Sequence, residues 1–252
     1  MSINIYQKKD IEKIAAANRI VAEVLEFLNG FIAPQMSLKE IDAKCEEMIL
    51  KSGAKPAFKG LYGFPNTACI SVNEVVIHGI PSDYKLQNGD IVSVDLGANL
   101  GGFFGDSART YGVGEISKED EALIGVAKDA FDFALSQIRV GMHFKELSAK
   151  IGDFITSKGY AALEDFCGHG IGRKPHEEPE IPNYFHYQNA KSGPKIREGM
   201  VFCIEPMICQ KSPRPRIDKD GWAVRSEDGL RTSHYENCIA IINSKPVVLS
   251  AI

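Results

Sequence analysis

Residues 36–53 and 142–159 carry nearly the same text, offset by 106 positions. Met36-Ser37-Leu38-Lys39-Glu40-Ile41-Asp42-Ala43-Lys44 aligns with Met142-His143-Phe144-Lys145-Glu146-Leu147-Ser148-Ala149-Lys150, and the match continues through Ile49/Ile155 to Gly53/Gly159. A fold built on such a repeat has to make the same local structure twice. Further along, Asn88-Gly89-Asp90-Ile91-Val92-Ser93-Val94-Asp95 parallels Glu198-Gly199-Met200-Val201-Phe202-Cys203-Ile204-Glu205, and His78-Gly79-Ile80-Pro81 parallels His176-Glu177-Glu178-Pro179. Each half therefore supplies a His-x-x-Pro and an acid at the end of an apolar strand. A pseudo-twofold axis between the halves would bring these groups to one place.

Local patterns fill in the elements. Ile11, Ile14, Val21, Val24, Leu25 and Leu28 share one face of a helix over 9–28, with Asn29-Gly30 as its end. Ser37-x-x-Glu40 is a capping box that opens a second helix, with Leu38, Ile41, Cys45 and Met48 inward and Gly53 as the stop. Residues 66–80 and 89–113 read as strands. The second half repeats the order: a helix from Ser117-x-x-Asp120 to about Ile138, another from about Phe144 to Lys158, then strands around 200–205 and 235–249. The link Val113-Gly114-Glu115-Ile116 is too short for a flexible tether. These patterns predict one α+β domain over 1–252, with halves at about 10–115 and 116–250. The sheet is expected to be mostly antiparallel, with helices on one side.

Composition removes several function classes. A net charge of −4 carries no global basic field for nucleic acid. No apolar run approaches the roughly 20 residues that cross a bilayer, and the N-terminus lacks the apolar core of a signal peptide. The six cysteines form no CxxC and no disulfide framework, which points to a reducing, cytoplasmic setting.

Five residues carry the chemistry. Asp95 and Asp106 flank the turn Asn99-Leu100-Gly101-Gly102. A hairpin centred on Leu100-Gly101 would make them direct cross-strand partners on one face, where like charges repel unless a cation lies between them. Glu205 and Glu236 abut strongly apolar strands, where an ionised carboxylate is costly unless paired or metal-bound. His169 lies between two glycines in Cys167-Gly168-His169-Gly170-Ile171-Gly172, a context that allows close backbone approach. Asp95, Asp106, His169, Glu205 and Glu236 together make a hard, oxygen-rich donor set suited to two divalent first-row ions. Two such ions roughly 3.5–4 Å apart activate water and polarise a carbonyl, which is hydrolytic chemistry. A HExxH helix and a GxGxxG dinucleotide fingerprint are both absent.

These motifs resemble, in order and across essentially the whole chain, the type I methionine aminopeptidases of the pita-bread family. The matching stretches are Ile70–Pro81, Asp95 with Phe103-Phe104-Gly105-Asp106, Cys167–Arg173, Phe202–Met207, Asp220-Gly221-Trp222 and His234-Tyr235-Glu236. The absence of a long helical insert and of a cysteine-rich extension fits the short type I form. The resemblance implies a pita-bread fold and removal of the initiator methionine from nascent chains when the second residue is small. It implies Asp95, Asp106, His169, Glu205 and Glu236 as ligands of two divalent ions (Co, Mn, Fe or Zn). Asp106 and Glu236 would bridge them, with Glu205 also the proton shuttle.

His78 would assist the leaving group, and His176 would stabilise the oxyanion. Phe58, Leu61, Phe64, Cys69, His78 and Trp222 would form the methionine pocket. Asn73, Val75 and Thr232 match positions that hold a monovalent cation (Na or K). The chain departs from the usual family pattern at Pro175 and Leu61, where aromatics are common, and at Phe58, where cysteine is common.

A proline-directed aminopeptidase or dipeptidase of the same fold is the rival enzyme reading. Such relatives usually carry an extra N-terminal domain, for which 252 residues leave no room. A non-catalytic pita-bread binding module is the rival of another class, and it is expected to lose ligands that this chain keeps. The expected protein is a monomer that binds neither membrane nor a specific nucleic-acid sequence. The charge of the Lys211-Ser212-Pro213-Arg214-Pro215-Arg216 loop points to an approach to ribosomal RNA.

Overall fold

The computed structural model describes residues 2–185 and 187–251. Four long helices form where the apolar spacing places them: α1 (Lys8–Phe31), α2 (Leu38–Lys51), α3 (Lys118–Gln137) and α4 (Phe144–Ser157). Ser37 caps α2 with the full reciprocal box: its hydroxyl accepts from the Glu40 amide at 3.2 Å and the Glu40 carboxylate accepts from the Ser37 amide at 2.7 Å. Ser117 caps α3 by accepting from the Asp120 amide at 3.1 Å. One helix end departs from expectation. α1 does not stop at Asn29-Gly30 but runs on to Phe31, with the chain leaving the helix at Ile32. Gly30 stays helical, and the break comes where Pro34 forbids continuation.

The strands of the first half are β1 (Lys55–Pro56), β2 (Ala68–Val72), β3 (Val75–Ile77), β4 (Ile91–Leu100) and β5 (Phe103–Gly112). The second half continues with β6 (Ala161–Ala162), β7 (Cys167–Gly170), β8 (Glu177–Pro182), β9 (Val201–Ile204) and β10 (Met207–Cys209). It ends with β11 (Pro215–Ile217), β12 (Val224–Ser226), β13 (Thr232–His234), β14 (Glu236–Ile242) and β15 (Lys245–Val248). Among the described residues the main sheet has nine strands, ordered β1-β4-β5-β14-β9-β7-β8, with β2 beside β4 and β15 beside β14. Every pairing in it is antiparallel. The first half meets the second along β5 and β14, where Glu236 lies opposite Ala108 and Asn237 opposite Ser107.

The β4–β5 hairpin corrects the expected register. The tight turn is Gly101-Gly102, not Leu100-Gly101, and Leu100 pairs with Phe103. Both turn glycines have positive φ, +59° and +82°, which other L-residues rarely adopt and which a two-residue hairpin turn requires. Asp95 therefore faces Ala108, and Asp106 faces Gly97. The two aspartates are diagonal neighbours rather than direct partners. They still share one face, because side chains alternate with a period of two.

The repeat is visible in backbone hydrogen bonds. Leu86 N donates to Met36 O at 2.9 Å, as Ile196 N does to Met142 O at 2.8 Å. Leu38 N donates to Tyr84 O at 3.1 Å, as Phe144 N does to Pro194 O at 3.2 Å. In each half the helix pair covers one face of its strands. Val21, Leu25 and Leu28 of α1 and Ile41 and Ile49 of α2 pack on Ile70, Val92, Val94 and Leu96. Phe131 of α3 and Phe144 and Ile151 of α4 pack on Phe202, Ile204, Ile239 and Ile241. Each such side chain, once fully buried, contributes about 1.5–3 kcal/mol. The alternate residues of the same strands, Asp95, Glu205 and Glu236 among them, point to the opposite face.

Candidate metal centre

That opposite face carries the acids. Asp95 comes from β4, Asp106 from β5 and Glu236 from the start of β14, and one oxygen of each lies within 4.8 Å of the others. Glu205 follows β9. The β9–β14 register pairs Ile204 with Asn237, so Glu205 extends it toward Glu236. His169 comes in from β7, with its Nε2 3.6 Å from Glu205 Oε1, 3.8 Å from Glu236 Oε1 and 3.9 Å from Asp106 Oδ2. The five residues thus converge from four strands and the end of a fifth, and from both halves.

Local packing explains the placement. A Cβ at Gly168 would strike the Cys203 carbonyl, and one at Gly170 the Glu178 carbonyl. The glycines on either side of His169 thus let β7 press close between β9 and β8. The Asp106 amide donates to Oδ1 of Asn18, a fully buried residue of α1, at 3.2 Å. The Arg109 guanidinium donates to the Glu236 carbonyl and to Asn237 Oδ1, both at 2.6 Å, and fixes the backbone at the start of β14.

The electrostatics are unbalanced without a cation. Asp95 Oδ1, Asp106 Oδ1 and Glu236 Oε1 are buried without a hydrogen-bond partner. Burial pushes the Asp95 carboxyl from 3.8 up to about 6. Burial, then the charges of Glu236, Asp95 and Glu205, holds Asp106 well above the usual carboxylate range. Glu205 is raised by burial and by Asp95, and Glu236 by burial, Glu205 and Asp95. Burial lowers the imidazoles in turn: His169 to about 3 and His78 to about 4. Neutral imidazole beside carboxylates is a donor set for divalent first-row ions, whose charge would satisfy the orphaned oxygens and the mutual repulsion together. The residues fit such ions.

A cavity of about 930 Å³ opens over this floor. His78 and His176 line it, as the sequence led us to expect, and so do Phe58, Leu61, Phe64, Cys69 and Trp222. His78 holds a left-handed backbone at φ +58°, a strained state that points to a functional constraint. His176 keeps solvent exposure at the mouth, its pKa lowered by partial burial. Its ring meets His169 edge-on at 4.5 Å and stacks near Tyr62 at 6.1 Å. Phe64 and Trp222 pack edge to face at 5.2 Å and form the apolar end. Asn73, Val75 and Thr232 lie apart from the acids, where the Thr232 hydroxyl sits 3.1 Å from both the Asn73 and Val75 carbonyl oxygens.

The profile of metallopeptidase family M24 matches residues 12–234. The chain belongs to metallopeptidase family M24. Within that family it is 54% identical to the methionine aminopeptidase of Helicobacter pylori strain J99, over 99% of both chains. Its structure superposes on the crystal structure of methionine aminopeptidase from Rickettsia prowazekii with a TM-score of 0.96. That match has 33% identity and covers 99% of this chain and 100% of the other. Prolidase from Pyrococcus furiosus gives a TM-score of 0.80 at 26% identity, with 98% of this chain covering only 65% of that one. As an M24 metallopeptidase with a pita-bread fold, the chain uses divalent metal at a site of this kind.

Several residues of the site receive no role from the sequence. Tyr62, Phe166 and Cys167 line the cavity, and of these only Cys167 lies in a matched stretch. His234 is 1% exposed, its Nε2 is 3.6 Å from Glu205 Oε2, and neither ring nitrogen has a hydrogen-bond partner. The available signal was a run of polar residues, Thr232-Ser233-His234, directly before an apolar strand.

Proposed function

We propose that this chain removes the N-terminal methionine of nascent polypeptides whose second residue is small, using two divalent ions held by Asp95, Asp106, His169, Glu205 and Glu236. The convergence of these five donors on the floor of a cavity with an apolar end carries the reading. Full-length similarity to methionine aminopeptidases, against partial coverage of a prolidase, favours it over the proline-directed alternative. The intact donor set disfavours a non-catalytic module.

Bound divalent ions (Co, Mn, Fe or Zn) would supply Lewis acidity and an activated water. The protein's own groups do the rest. Phe58, Leu61, Phe64, Cys69 and Trp222 would take the methionine side chain, and the carboxylates would face its α-amine. Glu205 would accept the proton of the attacking water at a carboxylate oxygen and return it to the departing amine. His176, neutral at pH 7, would donate a hydrogen bond to the oxygen that gains charge as the carbonyl becomes tetrahedral. His78 would donate toward the scissile nitrogen. A second residue larger than a small side chain would meet the narrow cleft between these imidazoles.

Methionine release from Met-Gly-Met-Met and Met-Leu-Met-Met tests this. Metal-stripped protein should be inactive. Added Co²⁺ or Mn²⁺ should restore cleavage of the first peptide alone. No release with any divalent ion would return the site to the binding-module reading.

Finer features belong to the same proposal. Every donor comes from one chain, which supports a monomer, to be checked by light scattering. All six cysteines are free, which supports a cytoplasmic location, testable by fractionation. No described helix is long and apolar enough to cross a membrane. The oxygens of Asn73, Val75 and Thr232 suit a monovalent cation, which would raise the melting temperature in K⁺ or Na⁺ over a bulky organic cation. Reversing the charges of Lys211, Arg214 and Arg216 should reduce co-pelleting with ribosomes, and unchanged pelleting would remove that contact.

A further inference from the structure

The segment before α1 is built into the wall of the cavity. Ser2 and Asn4 line it beside Lys174, His176 and Glu177. Tyr6 is the anchor of this segment: its amide donates to the Gly199 carbonyl at 2.7 Å. Its ring lies so close to Gly172 that a Cβ there would overlap the phenol oxygen. The phenol OH lies 2.8 Å from both Glu177 carboxylate oxygens and accepts from the Arg173 amide at 3.0 Å. Asn4 Nδ2 donates to Glu177 Oε2 at 2.7 Å. Glu177 Oε1 also accepts from the Arg173 and Lys174 amides at 2.9 and 3.0 Å.

The Glu177 carboxylate is therefore a buckle. It gathers two backbone amides of the loop that precedes His176 and two side chains from a segment 171 residues away or more. A carboxylate with several donors is a stronger tie than neutral contacts of the same number. The buckled loop carries His176 next to His169, whose rings meet at 4.5 Å. Among the described residues no hydrogen bond holds the His176 side chain, so beyond its ring contacts with His169 and Tyr62 its position depends on the loop beneath it.

We propose that Asn4 and Tyr6, acting through Glu177, are positioning residues that hold the His176 imidazole over the reaction centre. This rests on the aminopeptidase reading above, and it extends the working site to a segment outside the matched family region. The side chains of the two residues hydrogen-bond to each other, to Glu177 and to the Arg173 amide, and to none of the five proposed metal ligands. Their effect on the reaction passes through a ring whose misplacement by about 1 Å costs on the order of 10²-fold in rate.

The experiment is a double-mutant cycle on the metal-loaded, full-length enzyme, with Met-Gly-Met-Met as substrate. Wild-type cleavage first tests the aminopeptidase reading by itself. Tyr6→Phe should then lower kcat by roughly 10- to 100-fold with little change in KM, and with metal content by elemental analysis unchanged. In a His176→Ala background the same Tyr6→Phe change should cost almost nothing, because the group it positions is gone. Asn4→Ala, at an exposed site, should give a smaller effect of the same pattern and serves in place of Tyr6→Phe if that variant does not fold.

Hydrogen exchange supplies a readout independent of activity. The Arg173 and Lys174 amides should exchange faster in both variants than in wild type. An unchanged kcat, or an equal loss with and without His176, would overturn the proposal.

Discussion

The burial of the acids makes a counterintuitive forecast: removing a proposed metal ligand should stabilise the metal-free protein. Asp95 is the case to work. Its Oδ1 is buried without a partner, and it shares a 4.8 Å cluster with oxygens of Asp106 and Glu236. Its carboxyl rises from 3.8 to about 6. At about 1.4 kcal/mol for each tenfold change in acidity, ionised Asp95 destabilises the folded state by about 3 kcal/mol above pH 6. Burial of the charge, away from water and from any hydrogen-bond donor at Oδ1, is the cause of that rise. Asp95→Asn removes the charge and keeps the shape. In chelator at pH 7.5 the variant should melt roughly 6–12 °C above wild type by calorimetry. The gap should shrink toward pH 4.5, where the wild-type acid is protonated. With Mn²⁺ present the order should reverse, since only wild type gains from binding. A chelated variant that melts at or below wild type at pH 7.5 would refute the account of Asp95 as a buried, unpaired acid.

Three further expectations follow from the same coordinates. Metal-free wild type should lose stability as the pH rises above about 6.5. There the raised acids of Asp106, Glu205 and Glu236 leave the native state binding more protons than the unfolded one, and Mn²⁺ should abolish the slope. Below pH 6.5 the depressed imidazoles of His78, His169 and His234 act in the opposite sense, so the decline should be confined to the upper range when followed by denaturant melts at fixed pH. Asp42→Ala should cost on the order of 3 kcal/mol in urea unfolding and raise KM for Met-Gly peptides. Asp42 accepts from Asn66 Nδ2 and from the Thr67 and Ala68 amides, and so ties down the loop that carries Leu61 and Phe64; an unchanged KM would separate that loop from the pocket. Gly79→Ala drives a Cβ into the Ile70 carbonyl, which should cost about 1–3 kcal/mol and reduce kcat by shifting neighbouring His78, measured by melts and steady-state kinetics.

The helices were legible because their signals are local. Ser37-x-x-Glu40 and the apolar stripes need no tertiary information, and the α1 end was misread because Gly30 alone does not stop a helix that Pro34 ends. The acids were legible because each closes an apolar strand, where a charge calls for an explanation. Choosing the turn one residue too early turned a diagonal Asp95–Asp106 relation into a direct one. Their shared face survived because both registers keep the same parity. Strands of two or three residues, such as β6, β10 and β13, carry no period to read, and they form only because neighbouring chain is held beside them. Hence His234 is marked only as part of the matched stretch His234-Tyr235-Glu236, with no role attached. Asn4 and Tyr6 gave none, since their meaning lies in Glu177, far along the chain.

Strand β4 answers to two masters on alternate residues. Val92, Val94, Leu96 and Ala98 are wholly buried under the first helix pair, while Ser93, Asp95 and Gly97 look the other way. The even positions can drift among apolar side chains of similar volume, under the ordinary rules of a hydrophobic core. The odd positions from Ser93 to Gly97 answer to hydrogen bonding, charge and clearance. A Cβ at Gly97 would strike the Phe58 ring and the Ala57 methyl, so the glycine keeps that wall of the cavity in place. A designer could therefore harden this fold through one set of residues and retune its appetite through the other, along the same ten positions.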